Sequence, residues 1–111
     1  MLRLLLLNPH HYKRNMYKSE SIINNLLREV DSLSYRITNI QQAYFNTIHR
    51  GLRMRLIYEN KSISQRLNEI FSIAKLLKIR NNENISLSSL LLEKCKRTIA
   101  QNKIEKNLFF L

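Results

Sequence analysis

The sequence predicts an all-α fold: a long first helix with two shorter helices packed back on it, a helical hairpin or three-helix bundle that self-associates in coiled-coil fashion. Three observations predict it. Apolar residues recur at alternating three- and four-residue steps through Ile23, Leu26, Val30, Leu33, Ile37, Ile40, Tyr44, Thr47, Gly51, Met54 and Tyr58, and nine of these eleven are apolar or aromatic. A 3.5-residue spacing keeps one helix face turned toward a neighbour, here over about five heptads. The 111 residues contain one Gly and one Pro, which leaves little turn chemistry for β-hairpins or sandwich loops. Polar breaks at Glu59-Asn60-Lys61 and at Arg80-Asn81-Asn82-Glu83-Asn84 then divide the pattern into three stretches. A chain of this length supports one domain with a modest core.

Taken in order, residues 1–18 read as an N-terminal arm, with a short apolar run at Leu4–Leu7 and a turn at Asn8-Pro9. Residues 19–111 read as a single helical domain. The first helix is expected over about 19–59, capped by Ser19 or Ser21, with Glu20 favourably placed against the positive helix end. Its two halves differ. From Tyr44 a second stripe appears at Phe45, Ile48, Leu52 and Leu56, and a helix apolar on two faces is usually sandwiched. The second half is therefore expected to be covered by the chain's own helices. The single stripe Ile23, Leu26, Val30, Leu33, Ile37 and Ile40 is left as a self-association seam, with a dimer favoured. Gly51 marks either a kink or a close helix crossing, because glycine costs about 1 kcal/mol relative to alanine inside a helix.

Ser62-Ile63-Ser64-Gln65 has the spacing of a capping box. It opens an expected second helix over about 63–79, carrying Ile63, Leu67, Ile70, Ala74 and Leu77. Ser86 or Ser88 can cap a third over about 87–105, with Leu87, Leu90, Leu91, Leu92, Cys95, Ile99, Ala100 and Ile104 on a wide apolar face. The stretch Leu108–Leu111 is bulky and apolar. Its side chains are worth about 1.5 to 3 kcal/mol each when buried, so it is expected to find cover.

The residues that carry chemistry are few. Eight carboxylates, Glu20, Glu29, Asp31, Glu59, Glu69, Glu83, Glu93 and Glu105, are scattered, with no pair sharing a helix face in the apolar zone. His10, His11 and His49 have no Cys or carboxylate at ligand spacing, so no metal site is expected. Cys95 falls in line with Leu91 and Ile99, where core packing outweighs nucleophilic use. One glycine rules out a phosphate-cradling loop. No enzyme and no cofactor is expected.

Charge is the strongest functional signal. Nineteen Lys and Arg face eight Asp and Glu, giving a formal net charge of +11 and a pI near 10.2. Such an imbalance favours an anionic partner. Ten of the nineteen are Arg, whose planar fork suits phosphate and carboxylate. His49, Arg50, Arg53 and Arg55 fall within seven residues beside Tyr44 and Phe45, and Lys94 and Arg97 form part of a second group. Cations interleaved with aromatics suit phosphate contact with base stacking, and equally a solvated outer face with long stems lying on apolar surface.

The leading expectation is a non-enzymatic helical interaction or scaffold protein, a homo-oligomer that binds an acidic protein or a nucleic-acid-containing assembly through His49, Arg50, Arg53, Arg55, Lys94 and Arg97. One alternative is direct binding of DNA or RNA. A second is peripheral attachment to an anionic membrane surface through the Leu4–Leu7 arm or the Leu108–Leu111 end. With one cysteine and no export signal legible, a cytoplasmic location is expected.

Overall fold

Capping chemistry, rather than apolar spacing, decides where the first two helices meet. The computed structural model describes residues 10–80 and 85–104, with side chains from residue 20 onward within those ranges. It contains α1 (His10–Asn46, 37 residues), α2 (Arg50–Arg80, 31 residues) and α3 (Ile85–Gln101, 17 residues), with no strand among the described residues. The three-helix, all-α expectation therefore holds. Its internal boundaries shift. The turn between the first two helices lies at Thr47-Ile48-His49, about a dozen residues before the expected break near residue 60. There the Thr47 hydroxyl accepts the His49 amide at 3.1 Å, and His49 Nδ1 accepts the Leu52 amide at 3.1 Å. The imidazole thus serves as the N-cap of α2, satisfying one of the amides that a helix start leaves free.

The expected capping box at Ser62–Gln65 is correspondingly not a helix start. It lies in the middle of α2, where Ser64 is buried and accepts a hydrogen bond from Asn102 Nδ2 at 3.0 Å. Asn60, taken from its polarity as part of a loop, occupies a buried seam position of α2 at 2 % exposure. Gly51 marks neither a kink nor a helix crossing. It sits exposed in the first turn of α2 without a positive φ, and a Cβ there would meet only the His49 ring, 3.3 Å from Cε1. At the other end, α1 already runs from His10, so Ser19 and Ser21 are interior to it and residues 10–18 are not a separate arm. Leu4–Leu7, the expected polar break at 81–84 and the 108–111 end lie outside the described residues.

Cross-helix pairs set the directions. Arg66 of α2 binds Glu29 of α1 through both carboxylate oxygens, Nη2 to Oε1 at 2.9 Å. Lys94 binds Asp31, and Gln101 reaches Ser34 and Thr38, so α3 runs alongside α1 in the same direction and opposite to α2. The molecule is a rod of 63 × 27 × 18 Å, its long dimension close to the roughly 55 Å that 37 helical residues span.

The core corrects the expected division of the first helix. Ile23, Leu26, Val30, Leu33, Ile37, Ile40 and Tyr44 are all buried, and they form one cluster with Leu56, Ile63, Leu67, Ile70 and Ala74 of α2 and Leu91 and Cys95 of α3. The seam expected to carry self-association is closed by the chain's own helices. Past the turn the old register is lost: Met54 and Tyr58 are exposed, and α2 takes up a new seam at Leu56, Asn60, Ile63, Leu67, Ile70 and Ala74. The stripe expected to be sandwiched is mostly open, with Phe45 49 %, Ile48 99 % and Leu52 40 % exposed and Leu56 alone buried. Among the described residues, α3 leaves most of this stripe uncovered. α3 covers about 25 Å of rod with its 17 residues. Its end is bound to Ser34, Thr38 and Gln41 of α1, short of the α1–α2 turn.

Candidate functional site

The α1–α2 turn gathers the largest share of the residues singled out by charge. His49, Arg50 and Arg55 are exposed there. Arg53 is half-buried: its guanidinium lies over the Tyr44 ring, 4.6 Å from the centroid, and its Nε donates to the Tyr44 carbonyl at 3.4 Å. That carbonyl belongs to the last turn of α1, which lacks amide partners of its own. Arg53 is therefore a clasp between the two helices that leaves its charge at the turn. The Tyr44 ring is itself held edge-on against Phe45 at a centroid distance of 5.1 Å.

The second basic group is divided. Lys94 is drawn to Asp31 at 3.0 and 3.1 Å and is half-buried, so its charge is already met by a carboxylate of α1 at the bundle surface. No local spacing reveals this, because the two residues lie 63 positions apart. Arg97 is exposed. Three residues beyond Lys94, it sits near the level of Ser34, about 13 residues and thus roughly 20 Å along α1 from the turn. The predicted contact set does not converge on one place.

Around the turn, charge is uncompensated. Among the described residues, Arg66 with Glu29 and Glu69, and Lys94 with Asp31, are the cations that form ion pairs, and none of His49, Arg50, Arg53 and Arg55 does. Arg66 shows the contrast: its bonds to Glu29 and Glu69 raise its pKa further, and its bond to Glu29 holds that carboxyl below the usual range.

What sequence reasoning missed is the apolar component. Ile48 stands at the apex of the turn almost free of contacts, flanked by Phe45 on the last turn of α1 and by Leu52 and Met54 on the first turns of α2. Two open hollows adjoin it. One is lined by His49, Gly51, Leu52 and Arg55, and the other by Phe45, Asn46, Gln41, Gln42, Gln101 and Lys103 with Thr38. Neither encloses a volume in which a substrate could be shielded from water. The available signal was the Thr47-Ile48-His49 trio itself, a β-branched pair followed by a possible cap, overridden by a heptad count that ran straight through it.

Cys95 faces the core with no exposed surface, and burial pushes its thiol up to about 11. A neutral thiol of this kind is a packing residue rather than a nucleophile. No helix among the described residues is long and apolar enough to cross a membrane.

Compared with protein-family models, with curated proteins and with solved structures, the chain matches none. The surface itself is then what a functional reading stands on.

Proposed function

We propose that this protein is a non-enzymatic helical interaction module that engages an anionic partner with the α1–α2 end of its rod. One observation carries the reading: His49, Arg50, Arg53 and Arg55 cluster at a projecting turn, and none of them forms an ion pair among the described residues. Uncompensated charge at an exposed end costs self-repulsion, and an anion relieves it. The net charge of +11 supplies the long-range attraction. The rigid three-helix body behind the turn serves to hold it out. Arg50 and Arg55 are the contact residues, His49 shapes the turn, and Arg53 adds charge while tied to Tyr44. Lys94 belongs to the fold.

The test is a titration of the intact chain against three defined anions: duplex DNA, an acidic peptide and vesicles containing an anionic lipid. Binding to at least one, weakening steeply between about 50 and about 200 mM salt, is expected. The doubly substituted Arg50→Gln/Arg55→Gln chain should bind that anion at least about tenfold more weakly, while Lys94→Gln changes affinity little. If all three anions fail to bind at about 50 mM salt, the reading is refuted.

A further inference from the structure

We infer that the α1–α2 turn is a membrane-contacting tip: Ile48, flanked by Phe45 and Leu52, inserts into the headgroup region of an anionic lipid surface while Arg50 and Arg55 meet the phosphates. The inference rests on the anionic-partner reading and names the partner's class.

Exposed apolar side chains standing beside cations favour a lipid surface. Ile48 is 99 % exposed at the apex, and Phe45 and Leu52 stand half exposed beside it at the rims of two open hollows. Apolar side chains gain by sinking about 5 to 10 Å to the boundary between headgroups and acyl chains, and each adjoining Lys or Arg adds about a fivefold attraction to an anionic leaflet. A nucleic acid would use the arginines and leave Ile48 and Met54 in water.

Charge and apolar character are interleaved on the α2 side of the turn, where His49, Arg50, Arg53 and Arg55 fall among Ile48, Leu52 and Met54. Cations therefore stand beside the apolar apex along that side. The rest of the rod need not touch the surface, since its seam is filled from within.

The chain has no Trp, so Ile48→Trp places a single indole at the apex without disturbing packing. Tyr35→Trp, at an exposed site on the outer face of α1, is the control. The probe is vesicles of phosphatidylcholine with and without phosphatidylserine. The intact chain is expected to co-sediment with the anionic vesicles and not with the neutral ones, and the emission of Ile48→Trp, but not that of Tyr35→Trp, should shift to shorter wavelength. Ile48→Asn should lower vesicle affinity about tenfold and leave affinity for duplex DNA unchanged, circular dichroism confirming an unaltered fold. Co-sedimentation with no shift at position 48, or with full affinity in Ile48→Asn, overturns the tip and leaves the anionic-partner reading intact. So does binding to DNA or acidic peptide without binding to vesicles. If no anion of any kind binds, both readings fall.

Discussion

Replacing Ile37 by alanine separates a seam filled from within from a seam filled by a second copy. Ile37 has no exposed surface and lies in the cluster shared by all three helices. The change removes three carbon groups, worth about 2.4 kcal/mol at roughly 0.8 kcal/mol each. A partly collapsed void of about 40 Å³ adds about 1 kcal/mol. A loss of about 3 to 3.5 kcal/mol follows, a large fraction of the stability of a chain this size. In thermal unfolding it corresponds to roughly 15 °C. The assay is urea unfolding followed by far-ultraviolet circular dichroism at about 5 and about 100 µM protein. The parent and Ile37→Ala midpoints should each be the same at both concentrations, and Tyr35→Ala, two residues away on the outer face, should stay within about 0.5 kcal/mol of the parent. The reasoning is refuted if the parent midpoint rises with concentration while Ile37→Ala abolishes that rise, because the seam would then be satisfied by another chain. A loss below about 1 kcal/mol would refute it equally, since a fully enclosed isoleucine cannot be truncated so cheaply.

Three further outcomes follow from local geometry. His49→Ala should cost about 1 kcal/mol through loss of the Leu52 amide's acceptor, and His49→Asp should recover it, as read by thermal melts; equal stability in the alanine chain would remove the capping role. Cys95, whose thiol burial raises from 9.0 to about 11, should react with a thiol reagent at least about a hundredfold more slowly in the native chain than in urea. A folded-state value raised in this way means that stability is present below about pH 9 and declines as pH rises toward the folded value, a slope that Cys95→Ala should lack. The Glu29 carboxyl is held below its usual value of 4.5, first by the hydrogen bond from Arg66, so its contribution is present above that value and is lost as pH falls through the lower folded one. With the two side chains 35 % and 39 % exposed, that contribution is about 0.5 kcal/mol, and Glu29→Gln should flatten the acid limb of the stability curve by that amount.

The periodic stretches that the sequence displays are mostly genuine seams. Ile23 to Tyr44 and Ile63 to Ala74 are buried at the expected positions, and Cys95 falls inward with Leu91. What the pattern cannot show is where one helix stops. The heptad count continues through Thr47, Gly51, Met54 and Tyr58 by coincidence of spacing, since α2 buries a different face, and the deciding groups are a hydroxyl and an imidazole whose capping use depends on backbone geometry. Asn60 misleads in the opposite sense: its polarity reads as a loop, yet it is a buried seam residue. The charged surface was legible as composition and illegible as placement. Lys94 and Arg97 look equivalent in sequence, and only the approach of Asp31 from another helix distinguishes them.

The same long-range placement explains why a rod with a filled core keeps an open end. The end of α3 is held by polar bonds: Ser34 Oγ to Gln101 Oε1 at 2.8 Å, Gln101 Nε2 to Thr38 Oγ1 at 2.8 Å, the Lys103 amide to Gln41 Oε1 at 2.9 Å and Asn102 Nδ2 to Ser64 Oγ at 3.0 Å. Apolar contacts alone tolerate sliding by a turn, about 5.4 Å, since a heptad seam looks similar after each step. The buried Asn102–Ser64 bond does not, because a group displaced from its partner in a buried site costs about 1 to 3 kcal/mol, and the more exposed bonds to Ser34, Thr38 and Gln41 agree with the stagger it sets. At this stagger the described part of α3 meets Gln41 and leaves Phe45 and Leu52 half exposed. The hydrogen bond that marks this level lies seven residues along the chain from Ile48, the exposed apex.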